Sequence, residues 1–245
     1  MERVALCLPA SDKATTSTYH SLLNTEVNAI DPVEFAHTTE EWAEVVCDQR
    51  CSIPIHDQLL RWIPAKSIDG SKVCYVPEAT VYFASDVVSK AATTRYLPAT
   101  TSTGAACGSI LENALLGGTL EVFERDAFQG TWYSKKVWPR VSQKNFGSIA
   151  GMIQSFENAR AASVSLIDLS RVHGVPIALV FITSQRQRQN FGIGLSAGVS
   201  FEYAAQKAFY EAAALFYSGA HGEKLIELSD VKTFEDHVGW YQYGP

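Results

Sequence analysis

The sequence lacks the features that would place it in a membrane or on a nucleic acid. No apolar run approaches the roughly 20 residues needed to cross a bilayer. The opening MERVALCLPASD lacks the layout of a signal peptide, so a cytoplasmic location is expected. Net charge is −6, from 20 basic and 26 acidic residues, which leaves no extended basic surface for nucleic acid but allows a local basic pocket. Cysteines are few and scattered: Cys7, Cys47, Cys51, Cys74 and Cys107 make an odd set that reads as free thiols. Cys47 and Cys51, in CDQRC, are spaced one helical turn apart, but the second ligand pair of a zinc finger is missing. Neither G-x-x-x-x-G-K-[ST] nor G-x-G-x-x-G occurs, so both standard nucleotide loops are absent. Internal repeats, low-complexity tracts and clear linkers are absent too.

What is present is an ordinary globular composition. The 245 residues are 47% hydrophobic and 19% charged, enough for one large domain or two small ones with ample core. TTEEWAEVVCDQ, near 39–49, predicts a helix capped by Thr38 or Thr39, with Trp42, Val45 and Val46 on its apolar side. KVCYVPEATVYF (72–83) predicts a strand with a bend or an edge at Pro77. Helices are expected near 110–132, 148–162 and 200–217. SVSLIDLS and VPIALVFITS predict two paired strands joined around RVHG, and FGIGLSAG a short third strand beyond the polar loop QRQRQN. Strands and helices come in clusters without βαβ alternation, so the expected class is α+β, with mostly antiparallel sheets packed against long helices.

The chemistry concentrates in TSTGAACGSILENALLGGTLEVFERDAF, Thr101 to Phe128. Ser109 and Glu112 form an S-x-x-E capping box, and Gly104 and Gly108 let the preceding loop turn tightly. Asn113, Gly117, Glu121, Glu124 and Phe128 fall at spacings of three and four, along one helical face. On a surface helix, solvent would screen the two carboxylates. Leu111, Ala114, Leu115, Leu120, Val122 and Phe123 occupy the other faces, however, so the helix is expected to be buried nearly all round. Buried paired carboxylates need a metal, a base or a shared proton. Gly117 is expected to leave room for a ligand beside them. In SFEYAAQKAFYEAAALFYSG, Lys207 and Glu211 stand one turn apart in apolar surroundings, either as a surface pair or as buried partners of the first helix. Three carboxylates with Arg125 and Lys207 suit magnesium bridging a polyphosphate. The residues by themselves carry the reading to a metal and phosphate site of unusual construction.

STGAACGSILENALLGGTLEVFERDAF resembles the central signature of the YcaO family, S-x-G-x-A-x-G-x-x-x-E-A followed by E-x-x-E-R-D. GIGLSAGVSFEYAAQKAFYEA is similar to that family's later segment, and IPAKSIDGSKVCYVPEATVYF to the stretch before the signature in its peptide-modifying members. The resemblance implies a YcaO-like α+β fold and an enzyme that uses ATP and Mg to phosphorylate a peptide backbone amide oxygen. A substrate Cys, Ser or Thr side chain then closes an azoline ring, as in bacteriocin maturation. It also implies metal-binding roles for Glu121, Glu124, Glu211, Asn113 and Glu2, and phosphate-side roles for Arg125, Lys207 and Ser109. The implied partners are a peptide substrate with a leader and a leader-binding protein; a homodimer is compatible, and no nucleic acid or membrane is expected.

Three departures qualify this picture. The family usually carries Asn at Ser109 and Glu at Asn113. Glu2-Arg3 matches the end of the family's first E-x-x-E-R motif, and the chain stops short of the usual C-terminal region, so residues 1–245 are expected to form a single, incomplete YcaO-like domain. The alternative reading is a non-catalytic YcaO-like protein or fragment that binds peptide or a partner protein. Weak ATP binding by this chain alone is expected for the same reasons.

Overall fold

The computed structural model describes residues 13–25, 27–36, 55–82, 102–142, 145–186 and 191–219. The helix expected near 39–49, with Cys47 and Cys51, lies outside the described residues, as do Cys7 and Glu2. The chain divides into two compact units, Met1–Gly117 and Gly118–Pro245, each taken by itself.

In the first unit, β1 (Thr15–Ser17) is followed by the helices α1 (Tyr19–Asn24) and α2 (Val33–Ala36), then β2 (Leu60–Lys66) and β3 (Val73–Pro77). The strands form an antiparallel sheet in the order β1-β2-β3. Thr18 starts α1 by accepting from the Ser21 N–H at 3.1 Å, the side-chain cap that a free helix end needs. Fully buried Trp62 anchors a small core with Leu22, Ala29 and Leu60, and its indole donates to the Ser17 carbonyl at 3.0 Å. The strand expected over 72–83 is shorter. It ends at Pro77, which has no N–H to continue a ladder, and a 3₁₀ turn (Glu78–Thr80) follows. Glu78 is buried there against Arg61 Nε at 2.7 Å, a charge compensated within the fold.

The second unit is a sheet between helices. The helix α3 (Leu111–Ser134) enters it, followed by α4 (Ala150–Arg160), β4 (Ala162–Asp168), β5 (Ile177–Ser184), β6 (Phe191–Ala197) and α5 (Phe201–Gly219). The sheet is antiparallel, in the order β4-β5-β6. β4 and β5 are the hairpin expected around RVHG, where Gly174 supplies the positive φ of the turn. IALVFI in β5 is apolar without alternation because this central strand is covered on both faces. Ala178, Val180 and Ile182 pack with Ile153 of α4 and with Ala204, Ala205, Ala208, Phe209 and Ala212 of α5. Ile177 and Leu179 join Ala127, Leu120, Phe123 and Phe128 on the other side.

Period two also explains β6. Gly192 and Gly194 share the face toward α5, and a methyl on either would collide with a helix carbonyl, that of Ala212 or Ala208. Glycine on the strand and alanine on the helix therefore let the two backbones approach closely. Replacing Gly194 by Ala should force them apart and lower stability by about 3 kcal/mol or more. Gly130, within α3, has open space where a methyl would go, so Gly130→Ala should stabilise by roughly 0.5–1 kcal/mol. Thermal denaturation of the two variants checks this opposite pair of signs.

Candidate functional site

Helix α3 begins at Leu111 rather than at the expected capping box. Among the described hydrogen bonds, none closes that box: Ser109 Oγ accepts instead from Asn113 Nδ2 at 3.3 Å, and Ser109, Glu112 and Asn113 are all exposed. A methyl on Gly117, which is exposed, would touch Ala106 of the preceding loop at 3.4 Å, an ordinary contact. The helix is also not buried all round. Leu111, Leu116 and Val122 are exposed, and only Gly118 and Ala127 are fully covered. The reason is geometric: the sheet contacts one stripe, Leu120, Phe123, Ala127 and Phe128, and leaves the rest of the circumference outside.

Beside that stripe, Glu124 Oε2 accepts from the Ala197 N–H at 3.0 Å. From the opposite layer, Glu211 Oε2 of α5 accepts from the Leu195 N–H, also at 3.0 Å. Leu195 and Ala197 are two residues apart on β6, whose ladder partner β5 lies on the other side, so these N–H groups belong to its open edge. Arg125 lies between the acids of its own helix: Nη2 is 3.4 Å from Glu121 Oε1 and Nε is 4.0 Å from Glu124 Oε1. Glu211 and Glu121 are both near enough to Glu124 to act on its charge.

The grouping has limits. Among the described residues, no three His, Cys, Asp or Glu side chains stand close enough to hold one metal ion. N–H groups two residues apart on a strand are separated by about 7 Å, whereas oxygens sharing one magnesium lie within about 4 Å of each other, given ligand distances of about 2.1 Å. The two carboxylates therefore start from anchors set wider apart than the ligands of one ion. Lys207 is exposed, its ammonium 5.7 Å over the Tyr203 ring, and it makes no ion pair with Glu211. Tyr203, one turn back on α5, takes the cation instead, so of the two arrangements left open for Lys207 and Glu211 neither the surface pair nor the buried one is formed. Sequence reasoning also missed His173, whose Nε2 meets Asp126 Oδ2 at 2.8 Å. The turn RVHG and the acid in ERD were both legible, but nothing in the chain signals that they meet.

The profile described as YcaO cyclodehydratase, ATP- and Mg2+-binding, matches residues 1–243. The chain belongs to the YcaO family. Among solved structures, a heterocyclase in complex with substrate and cofactor aligns with 98% of this chain and 34% of its own, at 20% identity and a TM-score of 0.75. YcaO from Methanopyrus kandleri, bound with AMPPCP and Mg2+, aligns with 100% of this chain and 56% of its own, at 18% identity and a TM-score of 0.61. The E. coli microcin synthetase McbBCD complex with pro-MccB17 bound gives 94% and 57%, 14% identity and a TM-score of 0.62. At such identities the likeness shows the fold, and the chain spans 34–57% of these structures' lengths. No curated protein matches the sequence significantly.

In this YcaO chain, burial pushes the Glu124 carboxyl up to about 7, and the nearby Glu211 and Glu121 add to it against the Ala197 N–H and Arg125. The fold thus leaves this acid short of positive charge, which is the state a bound cation relieves; the donor set fits a hard cation. The shift has a consequence for stability. A carboxyl with a raised folded pKa binds more protons folded than unfolded between its ordinary 4.5 and about 7. Stability should therefore fall as pH rises through that window and level off above it. Glu124→Gln keeps an acceptor for Ala197 and removes the charge, so it should flatten this slope and raise the melting temperature at pH 8. Thermal melts from pH 4.5 to 8, without divalent metal, measure both effects.

Proposed function

We propose that this chain belongs to the machinery that activates peptide backbone amides with ATP and magnesium, forming azoline heterocycles in ribosomally made peptides. The observation that carries the reading is the pair Glu124 and Glu211, held on neighbouring N–H groups of β6 with Glu124 kept near neutrality. ATP supplies the phosphoryl group that makes the amide oxygen a leaving group. Glu121, Glu124 and Glu211 would supply carboxylates to more than one magnesium ion, Glu124 and Glu211 oriented by β6 and Glu121 by Arg125. Arg125 is also the described cation nearest these acids, and a guanidinium can move from carboxylate to phosphate because its planar donors fit both. Lys207 would have to leave the face of Tyr203 to join it, a rotamer change on an exposed helix side. Phosphoryl transfer asks a protein mainly for this positioning and charge neutralisation.

A second reading, a non-catalytic YcaO-like chain that binds peptide or partner protein, is favoured by the lack of a three-residue metal cluster among the described residues and by the position of Lys207. Calorimetry with ATP and magnesium separates the two readings. Under the first, binding requires magnesium, strengthens as pH rises from 6 to 8 and Glu124 ionises, and weakens at least about 10–100-fold in Glu124→Gln or Glu211→Gln. With a partner protein and a peptide bearing cysteine, serine or threonine, the product has lost one water mass and phosphate is released. Peptide binding with no magnesium-dependent nucleotide binding, alone or with that partner, would favour the second.

A further inference from the structure

The C-terminal end of α3 carries a feature that the amide-activating reading does not use. The helix closes with Lys135 N–H donating to the Trp132 carbonyl at 3.2 Å and Lys136 N–H to the Thr131 carbonyl at 3.3 Å, the paired bonds of a Schellman end. Such an end requires a left-handed residue, normally glycine, yet Lys135 occupies it at φ 52°. Past it, Trp138 is fixed by its indole N–H donating to Thr131 Oγ1 at 3.1 Å and by Lys136 Nζ, 4.3 Å above its ring. Between Trp138 and Phe128, over Ile167, Leu179 and Phe181 of the sheet, lies an apolar hollow of about 320 Å³. A second hollow, of about 540 Å³, shares Lys136, Val137 and Trp138 and adds Arg171. Val137, on the wall between them, is 92% exposed.

Among the described residues, no acid lines either hollow and Lys135, Lys136 and Arg171 have no carboxylate partner, although the whole chain is acidic. Lysines just past a helix C-terminus also suit the helix dipole. That role explains their charge, but not a non-glycine residue in the left-handed position or a pre-set indole wall. The first hollow is at the lower end of the ligand-pocket range of about 300–1,000 Å³, the scale of one bulky side chain and its flanks.

We propose that this cleft docks an acidic peptide segment, inserting one aromatic or large aliphatic side chain between Phe128 and Trp138 with its flanking carboxylates on Lys135, Lys136 and Arg171. Apolar burial would anchor the segment, and the cations would set its register and association rate. The proposal stands independently of ATP binding.

The test is fluorescence anisotropy on the full chain, with a labelled ten-residue peptide in which aspartates and glutamates flank a phenylalanine. Two control peptides replace the acids by their amides or the phenylalanine by alanine. The acidic aromatic peptide should bind at least tenfold tighter than either control, and more weakly at 0.3 M salt. Lys136→Glu and Arg171→Glu should each weaken it about tenfold. Lys135→Gly should weaken it too while leaving the melting temperature unchanged or higher, because glycine relieves the left-handed residue. That combination separates docking from folding. The proposal is overturned if the peptide does not bind, if the amide peptide or a short oligothymidylate binds equally well, or if these substitutions leave affinity unchanged. It is equally overturned if they abolish self-association of the chain in sedimentation, since the occupant is then a second copy.

Discussion

The open edge of β6 is the constraint around which the second unit is arranged. A strand edge carries N–H groups that must find acceptors, and an unprotected edge invites pairing with another chain. The sheet closes its two edges differently. Along β4, the segment at Arg140 and Val141 takes the place of a further strand, with Val141 N–H donating to the Leu166 carbonyl at 2.7 Å. Along β6, the acceptors are carboxylates from two helices, Glu124 and Glu211. Charged acceptors make stronger hydrogen bonds than neutral ones, but they bring negative charge to a partly dry place. The edge is thereby satisfied at the expense of an acid pushed up to about 7, so the group that protects the sheet is also the one whose charge the fold compensates least.

Glu211 reaches β6 because α5 packs closely on it. Gly192 and Gly194 leave the strand without side chains on that face, and Ala208 and Ala212 are the small helix residues that meet them. Each larger residue there would push the helix outward, and the Glu211 carboxylate would move with it. Packing and electrostatics therefore share one set of positions. The alternation of glycine with Ile193 and Leu195 does two things: it buries the apolar side chains toward α3, and it aims the edge N–H groups of alternate residues in one direction.

Much of this was legible in the sequence, for physical reasons that also show where legibility ends. The apolar run in β5, the hairpin turn at RVHG and the periodicity of α5 each record a local pattern of burial, and each element was found within a few residues of its expected bounds. Glu121, Glu124 and Arg125 could be grouped because helical spacing is a local property. What could not be read was anything that depends on which backbone group lies opposite a side chain. The Ala197 and Leu195 N–H groups have no sequence signature, so their hydrogen bonds to Glu124 and Glu211 could not be read. Lys207 stayed open for a related reason: Tyr203 and Glu211 lie one turn away on either side, and spacing does not choose between them.

The crowding of charge in ERD follows from rotation about the helix axis. Successive residues turn by about 100°, so from Glu124, which falls between Leu120 and Phe128 in the buried stripe, Arg125 lies about 100° around and Asp126 about 200°. Glu121, three residues back, returns to within about 60° of Glu124. Glu121 and Arg125 therefore border the stripe on one side, and Asp126 falls on the other, where His173 of the β4–β5 turn meets it. Phe123, on that second border, places its ring 5.1 Å from the His173 ring. A rotation of α3 by one residue would separate Glu124 from Ala197 and Asp126 from His173 together, while burying Arg125 against the sheet. Charges on both borders of a stripe thus specify its angular register more sharply than apolar residues can, since leucine tolerates a shifted neighbour and a desolvated carboxylate does not. The four charges within these six positions thus hold the helix at the angle that sets Glu124 on the edge of β6.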